Sequence, residues 1–163
     1  MKLVKLTYLL FFLLYLLKSQ VIVARQHYLD SKKLRVIDGD SLTLNSIKYR
    51  LFGIDAPELN QTCSVNGKDY KCGIKSKNFL ISLISENKLN CFTKGKDRYK
   101  RIIAVCKIGN LDINKSMVRN GWAVAYRRYS TEYINDESFA KTNSLGLWEG
   151  KFIKPEKWRR LKN

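Results

Sequence analysis

Histidine is almost absent from this sequence: among 163 residues, His27 is the only one. Its place at the edge of the domain argues against reaction schemes that need one or two core histidines as acid and base, and against histidine-rich zinc sites. Proline is nearly as scarce, with only Pro57 and Pro155, and no low-complexity linker or internal repeat divides the chain. No glycine-rich phosphate loop and no dinucleotide fingerprint occurs. The cysteines, Cys63, Cys72, Cys91 and Cys106, form no CxxC pair, which argues against a zinc ribbon. Acidic residues are also few, 14 Asp and Glu against 31 Lys and Arg.

That deficit sets the first positive inference. A formal net charge of +17 makes a polyanion the expected partner, because lysine and arginine release counterions when they settle on a phosphate chain. The length suits one domain, and 45% hydrophobic residues with three tryptophans suffice for a packed core.

Residues 1–24 read as a targeting segment. Lys2 and Lys5 precede an apolar run from Leu6 to Leu17, which is short of the ~20 residues of a spanning helix. Val21-Ile22-Val23-Ala24 then ends on a small residue suited to cleavage. An exported protein is expected, with an uncleaved N-terminal membrane anchor as the alternative. The even cysteine count, all beyond this segment, agrees with an oxidising compartment. Three pairings are open. The sequential one is favoured, because Asn66-Gly67 turns the loop between Cys63 and Cys72, and a basic turn separates the strands holding Cys91 and Cys106. Each bridge would contribute ~2–4 kcal/mol.

From residue 25 onward the hydrophobic pattern alternates first and then becomes helical. Strands are predicted around Leu34–Val36, Leu42–Leu44, Lys48–Ile54, Lys88–Thr93 and Ile102–Ile108. A helix is expected over Gly73–Asn87 with Ile74, Leu80, Leu83 and Ile84 on its apolar face, and another over Asp112–Asn120. A third follows Tyr126 and runs to about Asn143. Trp122, Phe139 and Trp148 read as core. Five short strands with a helix between the third and fourth suit an α+β unit built on a partly open OB barrel with three helices. The domain is placed at 25–150, and the basic stretch 151–163 is expected to be a loose tail.

With histidine set aside, carboxylates and arginines must carry any chemistry. Asp38-Gly39-Asp40 falls in a turn between strands, and Asp55-Ala56-Pro57-Glu58 ends the third strand, with Arg50 close by. Clustered carboxylates offer hard oxygen ligands, suited to calcium or magnesium. The plainer reading is a hairpin turn followed by an Asx cap before proline.

The wider context favours the first reading. Val36-Ile37-Asp38-Gly39-Asp40-Ser41-Leu42, Arg50-Leu51-Phe52-Gly53-Ile54-Asp55-Ala56-Pro57-Glu58 and Asp97-Arg98-Tyr99-Lys100-Arg101 resemble the staphylococcal nuclease (thermonuclease) family, as do Val118–Ala123 and Gly146-Leu147-Trp148 downstream. The resemblance runs from about Leu34 to Trp148. It implies that Asp40, Asp55 and the Ala56 carbonyl bind a calcium ion, where the family's best-known member has threonine in place of Ala56. It implies that Glu58 polarises the attacking water, and that Arg50 and Arg101 grip the phosphate. Arg98, Tyr99 and Tyr126 would contact nucleic acid. The implied activity is calcium-dependent endo- and exonucleolytic cleavage of DNA and RNA, leaving 3′-phosphate ends. Lys100 stands where the family usually has glycine, which puts the turn before Arg101 in question. A catalytically silent nucleic-acid-binding OB module is the alternative. No protein partner is implied, so a monomer is expected, with any membrane contact confined to the N-terminal segment.

Overall fold

The structure, a computed structural model, describes residues 26–30, 33–85 and 87–162; the expected targeting segment lies outside them. Eleven strands are present among the described residues: β1 (Gln26–Leu29), β2 (Leu34–Val36), β3 (Ser41–Leu44), β4 (Ile47–Leu51), β5 (Ile54–Asp55), β6 (Cys63–Val65), β7 (Lys68–Tyr70), β8 (Leu89–Lys96), β9 (Ile102–Ile108), β10 (Leu111–Asp112) and β11 (Val124–Ala125). Four α-helices accompany them: α1 (Cys72–Ile84), α2 (Ile113–Arg119), α3 (Ile134–Thr142) and α4 (Pro155–Lys162).

The main sheet runs β1-β8-β9-β4-β3-β2, with β10 added on β9. Only the β4–β9 contact is parallel; it sets Tyr49 opposite Ile102 and Leu51 opposite Ala104. Each of the five expected strands has its counterpart in this sheet, although the third, expected over Lys48–Ile54, ends at Leu51. Ile54 falls in β5, which pairs with β11 in a separate two-stranded sheet. The main sheet curls as an OB half-barrel in an α+β fold. Alternation drives the curl inward: Leu42, Tyr49, Leu51, Leu89 and Ala104 are buried against Ile113 and Met117 of α2. Buried Asn114 secures that packing. Its Oδ1 accepts the Cys106 N–H at 3.1 Å, and its amide donates to the Phe52 and Ala104 carbonyls.

Helix α1 buries Cys72, Ser76, Leu80 and Ile84, one residue every fourth, so the buried stripe follows one helix face. Ile74, expected on that face, is exposed instead. Gly73 lets the start of the helix approach the Glu58–Leu59 backbone, which a Cβ would strike, and the Ser76 hydroxyl donates to the Trp122 carbonyl at 2.7 Å. Asp112 caps α2 by accepting the Lys115 N–H at 2.9 Å. Helix α3 starts later than expected, because hydrogen bonds from the Tyr129 and Ser130 N–H groups to the Tyr126 carbonyl fold the preceding residues into a turn. Phe139, expected in the core, is partly exposed and carries the Arg119 guanidinium 3.6 Å above its ring.

Both disulfides follow the sequential pattern, Cys63–Cys72 and Cys91–Cys106. The second joins directly opposed residues of β8 and β9. The first ties the β6–β7 hairpin, which replaces the expected loop, to the start of α1.

The C-terminal stretch corrects the expected architecture most. Instead of a loose tail after three helices, Lys151 pairs with Ser64 of β6 and the chain continues into α4, whose Pro155 is buried. Among the described residues there are therefore four α-helices, and the last of them reaches the acidic cluster.

Candidate active site

The turn holding Asp38, Gly39 and Asp40 is pinned from within: Asp38 Oδ1 accepts the Asp40 N–H at 3.0 Å. Gly39 is required there by space, since a Cβ would collide with Ser76 of α1 and the Ala56 methyl. Asp40 is consequently turned inward. Its Oδ2 accepts the Ala56 N–H at 2.6 Å and its Oδ1 accepts the Ser41 hydroxyl at 3.0 Å. Asp55 arrives from β5, held by pairing with Val124 of β11.

Arg50, on β4, joins the two acids. It forms an ion pair with Asp40 through Nη1 and donates from Nη2 to Asp55 Oδ1 at 2.8 Å. Burial pulls this guanidinium below its ordinary pKa, while the charges of Asp55 and Asp38 oppose that fall. Burial likewise raises Asp38, against the attraction of Arg50 and the Ser41 hydrogen bonds. Three charged groups so enclosed hold one another in place: removing one leaves another buried without its partner, which costs more than the pair itself contributes.

Glu58 differs from these acids in being open to solvent. Its side chain is 34% exposed, against 3% for Asp40 and 2% for Asp55. Its backbone is tightly held: its N–H donates to the Gln61 side chain at 3.3 Å, and a Cβ at Gly73 would strike its carbonyl. The carboxylate meets an arginine that sequence reasoning missed. Arg159 of α4 donates from Nη1 to Glu58 Oε1 at 2.8 Å and from Nη2 to Asp55 Oδ2 at 3.1 Å. Burial alone would lower the Arg159 pKa, but hydrogen bonds and charge from Asp55 and Glu58 outweigh it and raise it. The only signal of this in the sequence is the basic cluster around Trp158, which marks no position in particular.

The other expected residues lie around this centre. Arg101 points back onto its own turn, with Nε 2.7 Å from Asp97 Oδ2, and makes no direct contact with Asp40, Asp55 or Glu58. Its charge is nevertheless felt at Arg50 and Asp38, so it borders the site. Asp97 organises the turn by accepting the N–H groups of Tyr99 and Arg101, both at 2.9 Å. Lys100 stands in the left-handed region at φ 62°, the conformation glycine adopts freely and other residues at a cost of ~1 kcal/mol. The departure at Lys100 is thus absorbed without losing the turn. Tyr99 projects into solvent, with the Arg98 guanidinium 4.7 Å from its ring centre. Tyr126 lies edge-on to Tyr129 at 4.9 Å, and its hydroxyl is raised in pKa by burial and by the nearby charge of Asp55. His27 takes no part; it lies beside Tyr49 on β1. A separate cleft of 480 Å³ between α2 and α3 shares no residue with this site, and its Asp136 is paired with Arg119.

A model of the staphylococcal nuclease homologue family matches residues 48–150, more than half of the chain. The chain belongs to the staphylococcal nuclease family. It is 38% identical over 134 residues to an uncharacterized endonuclease of Haemophilus influenzae, covering 77% of this chain and 70% of that protein. It is 32% identical to the succinoglycan biosynthesis protein ExoI of Rhizobium meliloti, covering 69% of this chain and 61% of that one. A probable staphylococcal-like nuclease CAN3 of rice is 31% identical, over 74% of this chain and only 30% of its own length. Family membership supports a nuclease, a hydrolase acting on nucleic acid, and the matched region includes Arg50, Asp55, Glu58 and Arg101.

The fit of a hard divalent ion can be tested on the acids themselves. Asp40 and Asp55 are buried and already converge on one cation, Arg50, as ligands of such an ion must. Among the described residues no group of three or more His, Cys, Asp or Glu forms a ready metal cage. An ion here would rest on two carboxylates, a carbonyl and water, an oxygen set that suits calcium or magnesium. The residues fit.

Proposed function

We propose that this chain is an exported, calcium-dependent nuclease that hydrolyses phosphodiester bonds of DNA and RNA and leaves 3′-phosphate ends. The observation that carries this reading is the division of labour among the acids. Asp40 and Asp55 are buried and converge, whereas Glu58 beside them faces solvent. A water reaching the phosphorus must be met by a carboxylate that solvent can reach, and Glu58 is the one so placed. Asp40, Asp55 and the Ala56 carbonyl would hold calcium, which when bound supplies charge neutralisation to the phosphoryl oxygens.

The chain's own groups supply the rest. Glu58 accepts the proton of the attacking water. Arg50, a planar fork held rigidly by two acids, binds the phosphate oxygens with little reorganisation. Arg101 enters from the β8–β9 turn by exchanging Asp97 for the phosphate, a modest rearrangement for a side chain 29% exposed. Arg98 and Tyr99 at the tip of that turn, with Tyr126 nearer Asp55, offer cationic and stacking contacts to the strand. The net charge of +17 draws the polyanion in. Export is supported by the apolar leader and by two disulfides, which persist in oxidising compartments.

The test is digestion of DNA and RNA by the oxidised protein in calcium, magnesium or chelator, read as acid-soluble nucleotide and end-group analysis. Release that depends on calcium and ends in 3′-phosphate is expected. Tight binding without release in any metal would instead establish a silent nucleic-acid-binding OB module.

A further inference from the structure

Residues 151–162 carry no motif that the proposed chemistry uses, yet they are fastened to the site at three points. Lys151 and Ser64 exchange backbone hydrogen bonds at 2.7 and 2.9 Å. The Gln61 amide, fully buried, donates to the Ile153 carbonyl at 2.6 Å while its oxygen receives the Glu58 N–H. One side chain thereby couples the loop of Glu58 to the segment leading into α4. The third point is Arg159, which closes contacts across 101 and 104 residues of chain.

The geometry at Asp55 has a direct consequence for an incoming ion. Oδ1 of Asp55 accepts from Arg50 Nη2 at 2.8 Å and has Arg159 Nη1 3.0 Å away as an ion-pair partner, while Oδ2 accepts from Arg159 Nη2 at 3.1 Å. Each oxygen therefore faces a cationic donor, and an ion approaching Asp55 meets the charge of Arg50 and Arg159 in competition with its own. Arg50 is poorly suited to leave, being 12% exposed and held by Asp40 as well. Arg159 is 33% exposed, and its remaining partner, Glu58, borders solvent.

We propose that Arg159 is a positioning residue of this site: an internal cation that holds Asp55 and Glu58 together and that competes with a divalent ion for Asp55. Helix α4 stays docked through Gln61 and Lys151, so a guanidinium displaced from Asp55 remains beside Glu58 and keeps it in place. The inference rests on the nuclease reading above, since it takes Asp55 as a ligand.

The experiment is calorimetric titration of calcium into the full-length, oxidised protein without nucleic acid, comparing the wild type with Arg159→Gln and Arg159→Lys. Losing a charge-assisted competitor should tighten calcium binding on the order of tenfold in Arg159→Gln, with Arg159→Lys between the two. A guanidinium that only braces the fold gives the opposite sign, because a loosened site binds calcium more weakly. Unchanged or weaker binding by folded Arg159→Gln overturns the proposal. Should that variant not fold, Arg159→Lys binding no tighter than the wild type overturns it equally. Should the wild type neither bind calcium nor release nucleotide in any metal, the nuclease reading itself falls. A wild type that cleaves with calcium, beside variants that bind it equally well, removes only the role of Arg159.

Discussion

Asp55 and Glu137 lie on neighbouring parts of one scaffold, yet their surroundings are built in opposite ways. Asp55 sits on β5; its partner strand β11 presents the Ala125 N–H to Glu137 Oε1 at 3.2 Å. Around Glu137 the acid is fully buried and the cations are outside: Arg127 at 2.6 Å and Lys141 at 3.2 Å are each 43% exposed. Around Asp55 the inner cation is only 12% exposed, and the more open members are Glu58 and Arg159 at the rim, 34% and 33% exposed. The difference separates a brace from the candidate active site. Arg127 and Lys141 can turn to water if Glu137 loses its charge. Arg50, Asp40 and Asp55 have no such recourse, so their arrangement is rigid, while Glu58 and Arg159 at the rim face solvent.

The comparison predicts that the two clusters fail differently. The largest effect is expected at Arg50. Arg50→Lys retains a charge but loses the planar fork, and nucleotide release should fall about a hundred- to thousandfold. The melting temperature should move by only a few degrees, and a drop in stability that matched the loss of rate would erase the distinction.

Glu137→Gln should show the reverse pattern, with a smaller effect. The amide oxygen still accepts the Ala125 N–H, but two charge-assisted contacts go, at a cost of about 2 kcal/mol, or about 4–8 °C in melting temperature. Activity per folded molecule should be unchanged. The pH dependence carries the smallest effect. Burial alone would raise the Glu137 pKa, but Arg127 and Lys141 outweigh it and hold the group below its ordinary 4.5. A depressed folded value means stability that is fully present above the unfolded value and lost as the pH falls through the folded one. Melting curves of Glu137→Gln should therefore decline less steeply below about pH 4.5 than those of the wild type.

How much of this was legible in the sequence follows from the range of each contact. Asp38-Gly39-Asp40 and Asp55-Ala56-Pro57-Glu58 announce themselves because each is a local turn whose conformation depends on neighbouring residues. Arg50 is readable because β3–β4 pairing sets it opposite Ser41, beside Asp40. Arg159 and Gln61 were not readable, since their roles depend on where the chain returns about a hundred residues later. Strand β1 was missed because Gln26-His27-Tyr28-Leu29 buries only Leu29 and joins the sheet through its backbone pairing with β8. Arg101 is the instructive intermediate: its motif points to the site, but Asp97, four residues away, holds its guanidinium at 2.7 Å.

In the proposed mechanism Glu58 is the group that meets the attacking water. The most direct measurement is steady-state nucleotide release by Glu58→Gln, taken beside its DNA affinity in calcium. The amide keeps the shape and can still accept from Arg159, so DNA affinity should stay near that of the wild type while turnover falls by about a hundred- to ten-thousandfold. Turnover equal to the wild type at the same DNA affinity would contradict the assignment and remove Glu58 from the chemistry.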